Sequence, residues 1–171
     1  MSLNICAFGP PTNDLCTNAT SLSVGLETSC SNIGGTNSGT TDSSELPTPS
    51  CAAYSGRDAW FSVTVPQSGV ITVETSGASG LTESVMSVYS GPCGALTEIE
   101  CYDDDRDGFF SMITLMGQTP GEVLLVRVWE FENTTIGEFN ICAYDAERDC
   151  QANVGSFGKF RNIEKSPNTK I

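Results

Sequence analysis

The sequence contains no histidine anywhere and no lysine before position 159. The first absence removes the Ser-His-Asp and Cys-His arrangements, in which an imidazole base activates a hydroxyl or thiol nucleophile. The second leaves only four arginines up to Gly158 to meet a phosphate backbone, which excludes nucleic acid as a partner. No apolar run approaches the roughly 18 residues that a membrane-spanning helix needs. The opening MSLNICAFGP lacks a basic stretch followed by an apolar one, so it does not read as a signal peptide. Helical periodicity is nearly absent. No CxxC pair or mixed Cys/His set occurs, which leaves zinc without its usual ligands.

What is present points outward from the cell. Eight cysteines (Cys6, Cys16, Cys30, Cys51, Cys93, Cys101, Cys142, Cys150), with Ser/Thr/Gly/Asn-rich segments between them, imply disulfides and an oxidising compartment. The expected location is secreted or at the cell surface. Eight cysteines can pair in on the order of a hundred ways. Spacing favours Cys93–Cys101, which would close a short loop, and a Cys30–Cys51 bridge would restrain the polar stretch between them. The net charge of −13 is unevenly spread. Up to Gly158 the balance is −16, whereas the last 13 residues, with Lys159, Arg161, Lys165 and Lys170, carry +3. A strongly acidic body is followed by a basic tail.

Short alternating runs dominate: DAWFSVTV (58–65), GVITVET (69–75), SVMSVYS (84–90), SMITLM (111–116), EVLLVRVWEF (122–131) and GEFNICAY (137–144). Gly/Pro turns separate them, and the pattern predicts an all-β fold, an antiparallel β-sandwich. Residues 31–50 have almost no apolar content and read as a long surface loop. Alternation places Phe61, Val63 and Val65 on one face, opposite Trp60, Ser62 and Thr64. It likewise turns Leu124, Val126 and Val128 inward, with Leu125, Arg127, Trp129 and Phe131 on the other side.

An internal echo bears on domain organisation. NICAF (4–8) resembles NICAY (140–144), and each is followed by another cysteine, in NDLCTNA (13–19) and ERDCQAN (147–153). Tandem modules account for this. Residues 1–12 would then be the last strand of a preceding copy and a linker. The module itself is 13–146, with six cysteines from Cys16 to Cys142, and 147–171 is a linker, a tail or the start of a next segment.

Several motifs, taken in order, carry a family resemblance: NDLCTNATSLSVG (13–25), GRDAWFSVTVPQSGVITVETSG (56–77), SVYSGPCGALTEIECYDDD (87–105) and the Gly-Glu-Phe-Asn-Ile-Cys ending at 137–142. Over about 13–145 the chain resembles the repeated β-sandwich modules of large secreted and surface proteins from Bacteroidetes-type bacteria. These are similar to pre-peptidase C-terminal (PPC-like) domains. The resemblance implies a jelly-roll-like sandwich, export, and a role accessory to other domains; it implies no ligand. The chain departs from the pattern in its basic tail. It departs again at Thr82-Glu83-Ser84, which stands where Thr-Asp-Thr is expected.

The richest constellation is the stretch CYDDDRDGFF (101–110). Asp103, Asp105 and Asp107 before Gly108 match the start of a calcium loop, since alternate carboxylates can converge on one hard cation. An EF-hand would need a Glu at the twelfth position, where Thr114 stands, and a helix where SMITLM reads as a strand. A calcium-bound turn on a β-scaffold remains, with Asp58 or Glu83 as further ligands. The alternative is a solvated acidic turn that guards a sheet edge. Asp58 can equally bond turn amides or Arg57. Trp129 and Phe131 beside Arg127 would, if uncovered, offer a stacking surface to a sugar or peptide, and Trp60 raises the same question. Asn18-Ala19-Thr20 and Asn133-Thr134-Thr135 match the N-glycosylation pattern, which carries no weight in a bacterial protein.

No catalytic residues emerge. The expected function is that of a non-enzymatic extracellular module, acting in adhesion, in glycan or protein binding, or as a calcium-stiffened spacer. Its partners would be an extracellular glycan or protein, or neighbouring modules of the same polypeptide. Two other readings stand beside it: an accessory domain of a secreted peptidase or other hydrolase, and a carbohydrate hydrolase using paired acids.

Overall fold

The computed structural model describes residues 9–26, 29–104 and 109–146. After a 3₁₀ turn at Cys16–Asn18, ten strands follow. They are β1 (Thr20–Leu22), β2 (Val24–Gly25), β3 (Ile33–Thr36), β4 (Ala59–Thr64) and β5 (Ile71–Ser79), then β6 (Val85–Ser90), β7 (Thr97–Tyr102), β8 (Met112–Leu115), β9 (Val123–Trp129) and β10 (Glu138–Tyr144). One sheet runs β1-β4-β9-β6-β7 and the other β2-β10-β5-β8, with β3 also paired to β10. From β4 onward the chain passes repeatedly between the two layers, as a jelly-roll-like sandwich does. Most pairings are antiparallel; β1 on β4 and β2 on β10 are parallel.

Alternation fixes the inner face as expected. Phe61, Val63, Leu124, Val126, Val128, Met86 and Val88 from one sheet meet Ile71, Val73, Ile113, Phe139 and Ile141 from the other. Phe61 and Phe139 close the gap edge to face, with ring centroids 6.0 Å apart. Each such side chain, fully buried, contributes about 1.5–3 kcal/mol relative to exposure. Gly35 on β3 admits the Phe139 ring, because a Cβ there would lie 2.4 Å from the ring edge.

The outer face of the first sheet differs from the expectation. Arg127, Trp129 and Trp60 do not form an exposed surface: Arg127 and Trp60 are 0% and Trp129 1% accessible. Phe131 is only partly buried, against the cluster of Val85, Cys101 and Trp129. The cover is the polar stretch itself. Residues 43–54 lie across this face as a strap, so the segment read as a surface loop buries Ser43 and, further back, Asn37 and Thr40. It also supplies β3. Its polar composition hides this role because its contacts run through backbone carbonyls and hydroxyls.

Three disulfides join the six cysteines of the described residues: Cys16–Cys93, Cys30–Cys142 and Cys51–Cys101. Neither expected pair forms. Strand β7 carries Cys101 about 13 Å along from the turn that holds Cys93, beyond the roughly 7 Å that a disulfide spans between Cα atoms. Cys30 and Cys51 part because β3 joins the second sheet while the strap crosses the first. Cys6 and Cys150 lie outside the described residues.

Candidate functional site

Two regions hold the chemistry that the sequence offered. In the first, Arg127 projects from β9 in a cross-strand row with Trp60 and Ser87. Its Nε donates to Asp58 Oδ2 at 3.0 Å, Nη1 to the Pro47 carbonyl at 3.2 Å and Nη2 to the Ser43 carbonyl at 3.2 Å. The guanidinium carbon stands 3.8 Å from the Tyr54 ring centroid and 5.3 Å from that of Trp60. Tyr54 donates its hydroxyl proton to Asp58 Oδ1 at 2.5 Å and accepts the Ser43 N–H at 2.8 Å. Burial, and the bond to the Asp58 carboxylate, push the Tyr54 phenol well above its ordinary range. Trp129 Nε1 reaches the Ala53 carbonyl at 3.4 Å. Asp58 therefore serves Arg127, not Arg57, and it is fully enclosed by this network. It is not among the carboxylates that approach the acidic loop.

The second region is that loop. A buried cluster of hydroxyls builds its base. Ser111 Oγ lies 2.6 Å from the Ser84 carbonyl, 2.9 Å from that of Asp103 and 3.1 Å from that of Tyr102. Thr75 Oγ1 bonds Ser84 Oγ at 2.7 Å and accepts the Ser111 N–H at 3.0 Å. Ser84 and Asp103 are thus pinned to one residue, which brings Glu83 beside Asp103 and Asp104. One carboxylate oxygen from each of these three lies within 4.8 Å of the others. Asp103 Oδ1 is shielded from solvent and has no hydrogen-bond partner among the described residues.

The electrostatics follow from this crowding. Burial, then Asp103, Asp104, Glu130 and Glu132, raise the Glu83 carboxyl above its ordinary value. Burial and then Asp104 raise that of Asp103. Tyr102 and Phe109 are exposed on the residues flanking the loop, at 42% and 58%. Of the expected ligands, Asp103 and Glu83 come together and Asp58 does not; Asp105 and Asp107 lie outside the described residues. Strict alternation within the aspartate run does not single out Asp104, the third member of this cluster, because it favours that residue's neighbours. A second trio, Cys30, Glu74 and Cys142, is no metal site because its cysteines are disulfide-bonded. Asn133, in the second glycosylation pattern, adopts a positive φ of 55° and donates from Nδ2 to the Ser55 carbonyl at 2.7 Å, which is a structural role.

Sequence comparison identifies the family. A family model of T9SS-associated, galactose-binding domain-like modules matches residues 12–141. The chain belongs to this family. The resemblance to a PPC-like module of Bacteroidetes-type proteins is thereby borne out. No curated protein sequence matches. Among solved structures, the pre-peptidase C-terminal domain of a Bacillus anthracis collagenase aligns at 7% identity and a TM-score of 0.40, over 73% of this chain and 95% of that one. A cycloisomaltooligosaccharide glucanotransferase from a Paenibacillus species aligns at 16% identity and a TM-score of 0.29, over 73% of this chain and 19% of that one.

Proposed function

We propose that this galactose-binding-like sandwich is a non-catalytic accessory module of a larger exported or surface polypeptide, and that a calcium ion at Glu83, Asp103 and Asp104 stiffens its acidic loop. The observation that carries the metal reading is the convergence of three carboxylates whose mutual repulsion no described cation relieves. A hard divalent ion takes six to eight oxygen ligands, and this site offers carboxylates beside the carbonyls of Tyr102 and Asp103. The T9SS association of the family and the three disulfides support an extracellular location, where calcium is abundant. The two exposed aromatics beside the loop favour a second role, contact with a glycan or protein.

Differential scanning calorimetry of the full chain, with calcium against a chelator, tests the metal. Calcium at a hundredfold excess over its dissociation constant should stabilise the chain by about 2.7 kcal/mol. Glu83→Gln with Asp103→Asn should abolish the response. An unchanged melting temperature in the unmodified chain removes calcium from the account. Glycosidase or peptidase activity of the isolated chain would remove the non-catalytic reading.

A further inference from the structure

Disulfide connectivity determines how the module would carry tension. The incoming chain meets the sandwich beside the start of β10. The Gly9 carbonyl lies against Gly39, and Pro11 and Thr12 line one cleft with Glu138 and Phe139. Asn37 exchanges bonds with Gly137 nearby. The outgoing chain leaves after Tyr144, at the other end of the same strand, about 20 Å away. A pull on the two ends of the module therefore acts along β10 and on the segment that precedes β1. That segment is anchored at Asn13, which accepts the Trp60 N–H at 2.8 Å and donates to the Trp60 carbonyl at 3.1 Å.

Among the described residues, the shortest covalent route between these points does not follow the backbone. It runs from Asn13 to Cys30, crosses to Cys142 and leaves through Tyr144. The bond spans 112 positions in sequence, and both sheets apart from β1, β2 and the end of β10 lie within the bypassed loop. Cys16–Cys93 offers a longer detour, with a separation of 77, and Cys51–Cys101 is bypassed altogether. We propose that Cys30–Cys142 is a force shunt: tension between neighbours in the chain passes through this bond and cannot extend the strap, the acidic loop or the sandwich core. The shunt gives a spacer module a mechanical role and protects the candidate metal site from load. Its biological use rests on the module reading above, but the shunt itself follows from the position of this one disulfide.

Single-molecule pulling on the full oxidised chain, held by its two ends, tests it directly. Only about 20 residues lie on the loaded route, so unfolding should lengthen the module by about 5 nm. Cys30→Ala with Cys142→Ala transfers the load to Cys16–Cys93, and the gain should rise to about 17 nm. If that variant does not fold, the unmodified chain still decides. Held extended and then treated with a phosphine reductant, it should lengthen further, in steps, by about 39 nm in total. A gain of about 17 nm or more from the oxidised unmodified chain, or no further lengthening on reduction, overturns the shunt. A parent gene without neighbouring domains would overturn the module reading and leave these lengths unchanged.

Discussion

Arg127 with Asp58, and Glu83 with Asp103 and Asp104, are two answers to the same problem of placing charge in a folded chain. In the first, every strong group has a partner. A carboxylate, two carbonyls and two aromatic faces surround one guanidinium, and the side chains are entirely excluded from water. In the second, like charges face one another and their proton affinities rise. A satisfied buried pair specifies structure, whereas the acidic group gathers like charges that no partner among the described residues offsets. The buried site thus reads as the fastening of the strap, and the acidic one is the calcium site proposed above.

The largest loss is expected at Arg127. Arg127→Met removes one partner from a fully buried pair and leaves Asp58 uncompensated, which should cost about 3–5 kcal/mol. The melting temperature should fall by about 10–20 °C on calorimetry. Adding Asp58→Asn should recover part of that loss, because the stranded charge disappears. A double variant at least as unstable as the two single losses combined would show that Asp58 does not depend on Arg127. Calcium affinity should not change in either variant if the two regions are independent.

The strap offers a milder break. Cys51→Ala with Cys101→Ala removes the covalent tie between residues 43–54 and β7 while keeping the Arg127 bonds. A loss of about 2–4 kcal/mol is expected. Limited proteolysis should then cut within 43–54 well before the sandwich itself is cut. Resistance equal to that of the unmodified chain would mean that Arg127 alone secures the strap.

How much of this the sequence disclosed follows from which interactions leave a pattern. The inner face was legible because pleating forces period-two alternation, and Phe61, Val63, Leu124, Val126 and Val128 occupy the core as that period requires. The same period correctly put Trp60, Arg127 and Trp129 together on the other face. It could not reveal that this face is covered, since the strap binds through the Ser43, Pro47 and Ala53 carbonyls, which any residue would provide. β7 escaped notice because it carries Glu98 and Glu100 and a register shift against β6 interrupts its alternation, and β3 because half of it is glycine. Disulfide pairing was illegible for a similar reason: Cys93 and Cys101 are close in sequence but separated by the length of a strand. At the acidic loop the residue types were legible. The juxtaposition of Glu83 with Asp103 depends on Ser84, Thr75 and Ser111, three small hydroxyls that announce nothing in sequence.

The smallest effect is expected at Glu83. A carboxyl whose folded-state proton affinity is raised binds protons more readily when folded than when unfolded. Its contribution to stability is therefore fully present below the ordinary carboxyl range and is lost as pH rises through the raised folded value. At pH 7, without calcium, ionised Glu83 works against the fold, and Glu83→Gln should raise the melting temperature by about 1–2 °C. That advantage should shrink as pH falls through the raised folded value, where the unmodified side chain takes up its proton. Asp58→Asn should be destabilising at pH 7, because its carboxylate is the partner of a cation. Saturating calcium should reverse the sign at Glu83 alone, since the variant then lacks a ligand. Melting curves across pH 4–7, with calcium and with chelator, measure all three. If Glu83→Gln destabilises the chelated protein at neutral pH, the carboxylate is already satisfied and the loop is an acidic turn rather than a binding site.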